Sequence, residues 1–289
     1  MDTQALRAFV AVAEQHSFSL AAEALHLTQS AVSKRVQQLE QQLDCTLFDR
    51  HNRTISLTES GHTLLPKAQN ILALMEDTRI AVANLSTGVS GRLALATSHH
   101  IGLHRLPPFL RELSHQYPQV DTQLAFMGSE HAYQAVQQRQ VELALTTLAQ
   151  TPPTGISQQP IWQDPLLCVC SPQHPLAKQS ITGLKQLSQH PAILPEPNTT
   201  TFELVAQVFR QQGLTVQAPM PTNYLETIKM MVSVGLGWSL LPATMVDEQL
   251  HVLPWPAQPL ERQLGLVYLQ QRTLSNAARA FVTLLTNAN

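Results

Sequence analysis

The stretch LTQSAVSKRVQQLE, residues 27–40, carries two kinds of side chain at the spacing of an α-helix. Val32, Val36 and Leu39 recur every three or four positions, which places these apolar residues on one face. The opposite face carries hydroxyl, amide and amine groups: Ser30, Ser33, Lys34 and Gln37. Such groups donate hydrogen bonds to bases and phosphates, and none repels DNA as a carboxylate does. The pattern predicts a helix that enters a major groove.

The residues before this helix predict two further helices and a tight turn. Apolar side chains within residues 6–13 repeat at helical spacing and give a first helix with one core face. We expect Ser19 to cap a short second helix, LAAEALH, residues 20–26. Thr28 is a suitable cap for the third helix. This order is that of a helix-turn-helix, whose last helix reads DNA.

A hairpin is predicted after the third helix. In LFDRHNRTISLT, residues 47–58, apolar and polar side chains alternate with the period of a half-buried strand. The hairpin carries Arg50 and Arg53, two cations suited to DNA phosphates. Residues 1–58 are therefore predicted to form a winged helix-turn-helix domain that binds DNA.

The charge of this predicted domain is local rather than global. The whole chain has a net charge of −2, and residues 1–58 contain five Lys or Arg against six Asp or Glu. Binding must therefore depend on turning Lys34, Arg50 and Arg53 toward DNA. One such module would bind weakly, because few phosphate contacts are available. A dimer would compensate by raising the effective concentration of the second module.

A long helix is predicted from its cap, Thr58, to about Leu85. Its apolar residues are spaced alternately by four and three positions, with Thr78 filling the one gap in the series, which is the heptad seam of a helix that pairs with another helix. They are Leu64, Ala68, Ile71, Met75, Val82 and Leu85. The alternative is that the seam packs against the rest of the chain. We assign residues 59–88 as a linker helix for dimerisation, followed by a flexible joint over residues 86–92.

From Arg92 onward, predicted strands and helices alternate, which is typical of an α/β fold. A proline-rich crossing, residues 151–165, separates two similar series. We predict an effector-binding domain of two α/β lobes over residues 89–289. Its strands are RLALAT, VDTQLAF, VELALTT, LLCVCS, PAILP, LTVQAPM, WSLLP and QLGLVYLQ, and its helices cover about 102–116, 130–139, 181–189, 201–212, 224–235 and 274–286.

Polar residues gather where these predicted strands end and helices begin. TSHH, residues 97–100, and GSEH, residues 128–131, hold this position in the first lobe, and NTTT, residues 198–201, holds it in the second. Backbone N–H groups at helix starts bind anions, and adjacent hydroxyls add donors. Plain helix capping is the alternative for each segment alone. Together they predict an anion or carboxylate site if they face one cleft.

Sequence motifs for catalysis, metals and cofactors are missing. There is no Gly-x-Ser-x-Gly elbow and no Walker loop, and GLG at residues 235–237 lacks the third glycine of a dinucleotide fingerprint. His100 and His104 are one helical turn apart, but no carboxylate or cysteine nearby in the sequence completes a metal site. We expect no catalytic residue, no metal, no cofactor and no enzymatic activity.

The composition and the first residues of the chain indicate its cellular location. At 289 residues, with 44% hydrophobic and 13% charged residues, the chain is long enough for two or three globular domains. Its start lacks the pattern of a signal peptide, and no stretch reaches the roughly 20 apolar residues of a membrane span. A cytoplasmic location without membrane contact is expected. Cys45, Cys168 and Cys170 are expected to be free thiols, because Cys-x-Cys is not a common zinc spacing.

The order of these parts resembles that of the LysR-type transcriptional regulators over essentially the whole chain. The strongest match is SFSLAAEALHLTQSAVSKRVQQLEQQLDCTLFDRHNRTISLTESG, residues 17–61, which looks like the family's helix-turn-helix, wing and linker-helix start. TSHHIGLHRLPPFL and ETIKMMVSVGLGWSLLP resemble its effector domain, a two-lobed fold like that of periplasmic binding proteins. The resemblance implies a sequence-specific DNA-binding regulator controlled by a small molecule.

The resemblance also implies residue roles. Position 30, serine here, is often proline in the family, so operator preference is expected to differ. A small effector would bind between the lobes, and a carboxylate suits that place, with His99, His100 or Arg105 supplying positive charge. The residues expected to contact DNA are Gln29, Ser30, Ser33, Lys34, Gln37, Arg50 and Arg53, and those expected at the effector site are Ser98, His99, His100, Ser129, Asn198, Thr199, Thr200 and Thr201.

The assembly implied by the resemblance is a homotetramer, a dimer of dimers paired through linker helices and effector domains. The C-terminal strand and helix would return to the first lobe, with hinges near residues 161 and 265. Lobe I would then cover about 92–161 and 266–289, and lobe II about 162–265. Ligand binding would change the placement of the DNA-binding modules, and thereby DNA bending or contact with RNA polymerase.

Two other classes of protein share parts of this pattern. A solute-binding protein has two such lobes, and a secretion signal would favour it. A metabolic enzyme of the doubly wound α/β type would be favoured by a catalytic constellation. Neither accounts for a polar helix face, an arginine-bearing wing and a heptad seam in this order. The sequence therefore predicts an effector-controlled regulator of transcription.

Overall fold

The computed structural model describes residues 2–49, 55–85 and 88–287. The chain divides into two compact units, residues 1–86 and 87–289. Each unit has its own buried apolar side chains. Within the described ranges, no helix is both long enough and apolar enough to cross a membrane.

Three helices and a two-stranded hairpin begin the first unit. They are α1 (Thr3–Gln15), α2 (Phe18–Ala24), α3 (Gln29–Leu43), β1 (Phe48–Asp49) and β2 (Ser56–Leu57). The cap of α3 is Thr28, as predicted, because its hydroxyl accepts a hydrogen bond from the Ala31 N–H at 3.2 Å. The predicted cap of α2, Ser19, is wrong. Ser17 caps that helix by accepting from the Leu20 N–H, and residue 19 lies inside it.

The apolar face of α3 lies in the core of the first unit. Val32, Val36 and Leu39 are fully buried, as their spacing predicted, and pack in one cluster with Phe9 and Phe48. Burying each such side chain contributes about 1.5–3 kcal/mol, so this face fixes α3 on the domain. The polar face is left outward. The predicted wing arginines, at positions 50 and 53, lie outside the described residues.

The predicted linker helix is present as α4 (Glu59–Ala83), capped by Thr58. Its seam divides into two parts. Leu64 and Ala68 pack into the core of the first unit, so the alternative, packing against the chain's own body, holds for these two residues. Beyond them the seam is exposed at Ile71, Met75, Val82 and Leu85, by 37% to 82%. An apolar strip therefore remains on the C-terminal part of α4 and continues to Leu85, just beyond the end of the helix.

The second unit is a mixed α/β fold. Its strands are β3 (Gly91–Thr97), β4 (Val120–Phe126), β5 (Leu143–Thr147), β6 (Ile156–Cys170), β7 (Ser239–Pro242), β8 (His251–Leu253) and β9 (Leu260–Leu269). Its helices are α5 (His99–His104), α6 (Pro107–Gln116), α7 (Ser129–Gln137), α8 (Leu184–Ser188), α9 (Thr200–Gln211), α10 (Leu225–Ser233) and α11 (Asn276–Asn287), with 3₁₀ turns at Pro175–Lys178 and Ala243–Met245. The strands form one sheet in the order β4-β3-β5-β9-β6-β7, with β8 beside β6.

Two lobes share this sheet through its two long strands. The first lobe is built on the parallel pairs β3 with β4 and β3 with β5. β6 and β9 are antiparallel and continue from the first lobe into the second. Their register shifts between Pro160 and Trp162, and Gly265 lies so close to the Gln159 carbonyl that a Cβ atom would clash. The strands cross between the lobes near residues 161 and 265, where the family resemblance implied hinges, and hinge motion at these positions stays a prediction.

The C-terminal segment returns to the first lobe, as the resemblance implied. β9 pairs with β5, and α11 packs in the same apolar cluster as β3 and β5. Glu142 anchors the loop before α11, because its carboxylate accepts hydrogen bonds from the N–H and the hydroxyl of Ser275, at 2.6 and 3.0 Å. This carboxylate therefore ties the C-terminal helix to lobe I.

Several predicted elements of the second unit are wrong. The helix expected over residues 102–116 is two helices, because Pro107 and Pro108 lack N–H donors and restrict the residue before them. PAILP, residues 191–195, makes only the bridge Ala192 to Trp238, and LTVQAPM, residues 214–220, forms no strand. Prolines in both segments cannot donate to a ladder, which disfavours strand pairing. By contrast, residues 156–165 of the proline-rich crossing belong to β6.

The two strand cysteines are buried free thiols, as expected. Cys168 and Cys170 lie on β6 and are at most 1% exposed. Burial raises the pKa of the Cys170 thiol to about 11 and raises that of Cys168 further. Both therefore remain protonated and unreactive at neutral pH. Cys45 is also free and is partly exposed.

Candidate functional sites

The outward face of α3 presents the polar side chains that the sequence predicted for DNA. The Ser30 hydroxyl lies 3.0 Å from that of Thr28 and is thereby engaged at the helix start. Lys34 supplies an exposed cation in the same row. Amide, hydroxyl and amine groups on one helix face fit base edges and phosphates. The five residues are Gln29, Ser30, Ser33, Lys34 and Gln37, of which only Ser33 is half-buried.

One carboxylate on this side of α3 is bound within the protein. Glu40 lies seven residues beyond Ser33 on the same side of α3, where a free carboxylate would repel a phosphate. It accepts hydrogen bonds from the backbone N–H groups of Leu47 and Phe48, at 2.8 and 3.4 Å. The Glu40 carboxylate therefore holds the start of the wing in place, and these two N–H groups stabilise its negative charge. Sequence spacing alone did not reveal this contact.

A cavity of 430 Å³ lies between the two lobes of the second unit. Most residues predicted for an effector line it: Ser98, His99, His100, Ser129, Thr199, Thr200 and Thr201. Asn198 does not, because it is exposed in the turn before Thr199, the cap of α9. Arg105 also lies outside the lining, and its guanidinium stands 6.0 Å from the ring of Trp162. The end of α5 thus directs this cation away from the cleft.

A carboxylate of the protein occupies the start of α9. Glu130, in the first turn of α7, accepts a hydrogen bond from the Thr200 N–H at 3.2 Å. A helix start favours negative charge, because its first N–H groups lack partners within the helix. The neighbouring Thr199 hydroxyl accepts from the Phe202 N–H at 3.2 Å. The Glu130 contact joins the two lobes across the cavity.

Arg262 is a buried cation in the cavity wall that sequence reasoning missed. It is 6% exposed and stands opposite Asp164 in the pairing of β9 with β6. Its guanidinium donates to the Asp164 carboxylate, from Nε at 3.0 Å, and to the Thr201 hydroxyl at 3.0 Å. Burial acts to raise the pKa of Asp164, but the nearby His100 ring and the Arg262 guanidinium outweigh it and hold that pKa below its usual value.

Aromatic rings line the cavity beside these charges. His99 lies between Phe126 of the first lobe and Tyr224 of the second, with ring centroids 5.2 and 4.8 Å away. Tyr224, like Thr222 and Asn223, follows a segment that the sequence suggested was a strand, so these residues were not expected here. The cavity thus combines hydroxyls, one buried cation and stacking surfaces, which is typical of a small-molecule site.

Comparison with known proteins identifies the family. Residues 3–62 match the bacterial regulatory helix-turn-helix protein, lysR family, and residues 86–289 match the LysR substrate binding domain. The chain belongs to the LysR family. It is therefore a DNA-binding transcriptional regulator with an effector-binding domain, and not an enzyme. The expectation drawn from the resemblance is confirmed at this level.

Relatives and solved structures support the same assignment. A probable RuBisCO transcriptional regulator of Trichormus variabilis is 31% identical over 288 residues, 96% of this LysR-type chain and 85% of that protein. An uncharacterized HTH-type regulator of Azotobacter vinelandii is 65% identical over 108 residues, 37% of this chain and 75% of that protein.

Two solved structures share the fold. Full-length CbnR in complex with its target DNA has a TM-score of 0.61 at 19% identity and covers 100% of both chains. The effector binding domain of QuiR in complex with shikimate has a TM-score of 0.62 at 18% identity, covering 69% of this chain and 97% of that one.

Proposed function

We propose that this LysR-type regulator reads its operator with the outward face of α3 and is controlled by a small carboxylate bound between its lobes. Residues 1–58 would bind DNA, residues 59–88 would pair two chains, and residues 89–289 would bind the effector. The observation that carries the effector proposal is the Glu130 carboxylate bound by the Thr200 N–H in the interlobe cavity.

The proposed DNA contacts rest on the exposed polar row of α3. Its apolar face is held in the core, so its polar side, which carries Gln29, Ser30, Ser33, Lys34 and Gln37, is the side that can face a groove. Arg50 and Arg53 of the wing would add phosphate contacts. CbnR, which shares this fold, has been solved in complex with its target DNA, which supports DNA as the partner of this chain. Such contacts act where the chromosome lies, so we place the regulator in the cytoplasm.

Lys34→Ala is expected to weaken DNA binding several-fold and to reduce the slope of log affinity against log salt by about one unit. The reason is that an exposed lysine that neutralises one phosphate releases about one counterion. Fluorescence anisotropy on genomic DNA fragments enriched by the wild-type protein measures both quantities. Lys185→Ala, an exposed lysine on α8, removes the same charge elsewhere and should leave the slope unchanged. An unchanged slope for Lys34→Ala would remove Lys34 from the interface.

The proposed carboxylate site uses the position that Glu130 now holds. The α9 start already binds a carboxylate there, and the Ser98 and Ser129 hydroxyls line the same cavity. The lining contains the acids Glu130 and Glu196 but only one basic residue that is always charged, Arg262. An incoming anion must therefore displace Glu130 rather than bind beside it. Shikimate, bound by the QuiR domain, is itself a carboxylic acid.

Calorimetry with small carboxylic acids and their amides tests this site. We expect at least one acid to bind while its amide does not. Ser98→Ala should weaken that acid by about ten-fold, the effect of losing a hydrogen bond to a charged group. Ser114→Ala, on the exposed side of α6, is the matched control. Glu130→Gln keeps an acceptor but removes the competing charge, so it should bind the acid more tightly. Equal binding of acids and amides would contradict the proposal.

Control of transcription would follow from a change in lobe geometry. A ligand shifts the balance between two arrangements only if it binds one of them more tightly. Displacing Glu130 releases one link between the lobes, which gives the ligand such a preference. In a homotetramer paired through α4 and through the effector domains, this change would move the DNA-binding modules relative to each other. DNA bending or contact with RNA polymerase would respond.

A further inference from the structure

Three metal-ligating side chains meet where the first lobe faces the second. His100 and His104 lie one turn apart on α5, and Glu226 lies in the first turn of α10. One ligand atom from each lies within 4.8 Å of those of the others. The sequence showed the two histidines but no carboxylate beside them. The fold supplies it from 122 residues further along the chain.

The separations suit one ion. Oε1 of Glu226 is 3.2 Å from Nε2 of His104. Two ligands of a tetrahedral zinc ion stand roughly 3.3 Å apart, because each bond is about 2.0–2.1 Å long. The imidazole rings of His100 and His104 have centroids 5.1 Å apart. Small side-chain rotations would therefore bring all three ligands around one cation.

His100 provides an independent sign of a missing partner. It is only 5% exposed, yet neither of its ring nitrogens has a hydrogen-bond partner among the described residues. Buried polar groups are rarely left in this state, because burial without a partner is unfavourable. A metal ion would bind one nitrogen. Oδ1 of Asp164 lies 3.8 Å from Nε2 of His100. A histidine that binds a metal through one ring nitrogen commonly directs its other N–H toward a carboxylate, and Asp164 holds that position.

The donor set and its exposure indicate the kind of ion. Two imidazoles and one carboxylate suit Zn²⁺ and similar transition metals, whereas Mg²⁺ and Ca²⁺ prefer oxygen ligands. The side chains of His104 and Glu226 are 42% and 40% exposed, so an ion can enter from solvent. Three protein ligands leave a fourth position for water. This geometry matches an accessible, exchangeable site.

We propose that His100, His104 and Glu226 bind one Zn²⁺ ion that bridges the two lobes of the effector domain. Two ligands come from lobe I and one from lobe II, so the bound ion resists separation of the lobes. His100 also lines the interlobe cavity, which places the ion at the cavity's edge. The site does not depend on the carboxylate proposal, because neither His104 nor Glu226 is part of the cavity lining.

Zn²⁺ titration of the full-length chain, prepared without a histidine tag and freed of metal by a chelator, tests this site. Competition with a chromophoric chelator is expected to give one ion per chain, and Co²⁺ should give the visible absorption of a low-coordinate site. His104→Ala and Glu226→Gln should each weaken binding by about ten-fold or more. Both side chains are partly exposed, so the variants are expected to fold, which circular dichroism checks.

The matched control is His190→Ala. His190 and His174 form another close histidine pair, with ring centroids 5.2 Å apart. This control should leave Zn²⁺ affinity unchanged. Zn²⁺ should also raise the Tm of the wild type but not that of His104→Ala, because only an intact site links the lobes. The proposal is overturned if Zn²⁺ does not bind saturably, or if His190→Ala reduces affinity as much as Glu226→Gln does.

Discussion

Replacing Arg262 by methionine is expected to destabilise the second unit by about 3–5 kcal/mol. The substitution leaves the Asp164 carboxylate, which has no solvent exposure, without its cation and removes a donor from Thr201. An unpaired buried charge costs more than the lost attraction, because water does not replace the partner. Urea unfolding followed by tryptophan fluorescence measures the loss. The three tryptophans, Trp162, Trp238 and Trp255, all belong to this unit.

A double variant separates the charge from the packing. Asp164→Leu combined with Arg262→Met removes both charges and keeps apolar volume in the wall of the cavity. Replacing a buried ion pair in this way is often close to neutral. We therefore expect the double variant to recover most of the stability that Arg262→Met loses. If the single variant unfolds at the wild-type urea concentration, the ion pair does not stabilise the fold.

The stability lost in Arg262→Met is expected to depend on pH in one direction. The pKa of Asp164 is held below its usual value in the folded protein. Its ionisation therefore contributes stability above about pH 4, the pKa of an unfolded aspartate, and this contribution is lost as pH falls through the lower folded pKa. In Arg262→Met the carboxyl is protonated more easily. The difference between wild type and variant should therefore shrink below about pH 4.

The parts of this protein that the sequence revealed depend on neighbouring residues. Thr28 caps α3, and the four- and three-residue spacing of Val32, Val36 and Leu39 sets its buried face. Both signals lie within a few positions of the chain. The same holds for β4, whose observed bounds match the predicted VDTQLAF. Such features follow from local backbone geometry and side-chain spacing. They sufficed to predict the exposed polar face of α3 and the helix starts around the cavity.

The parts that the sequence concealed depend on contacts between distant segments. Asp164 and Arg262 are 98 residues apart, and Glu130 and Thr200 are 70 apart. The first pair follows from the register of β6 with β9, and the second from the approach of two lobes. Neither contact can be predicted from the spacing of residues within one segment. Prolines add a second source of error. An apolar run such as PAILP resembles a strand, but its prolines have no backbone N–H to donate to a neighbouring strand.

The linker helix shows a third limit of periodicity. A four-and-three spacing identifies an apolar face but does not say what covers it. Ala68 is covered by the first unit's own core, whereas Met75, two steps further along the same seam, is 43% exposed. The seam was predicted as one dimer contact. The structure divides it, and only its exposed part is available to a second chain.

Met75→Lys is therefore expected to separate two paired α4 helices and to lower DNA affinity by about 100-fold or more. Twofold pairing would place two lysines in one apolar seam, where burying an ammonium without a partner is unfavourable. The affinity falls because the second DNA-binding module is no longer held near the first. Sedimentation equilibrium should show half the mass of the wild-type assembly, counted in chains of 32.0 kDa.

The matched control is Asn70→Lys, which adds the same charge to an exposed position of α4 outside the seam. It keeps the helix and its apolar strip, so mass and DNA affinity should stay at wild-type values. Lysine is a good helix former and Met75 is partly exposed, so folding of the chain is expected in both variants. If Met75→Lys keeps the wild-type mass and affinity, the exposed strip on α4 is not the surface through which the chains pair.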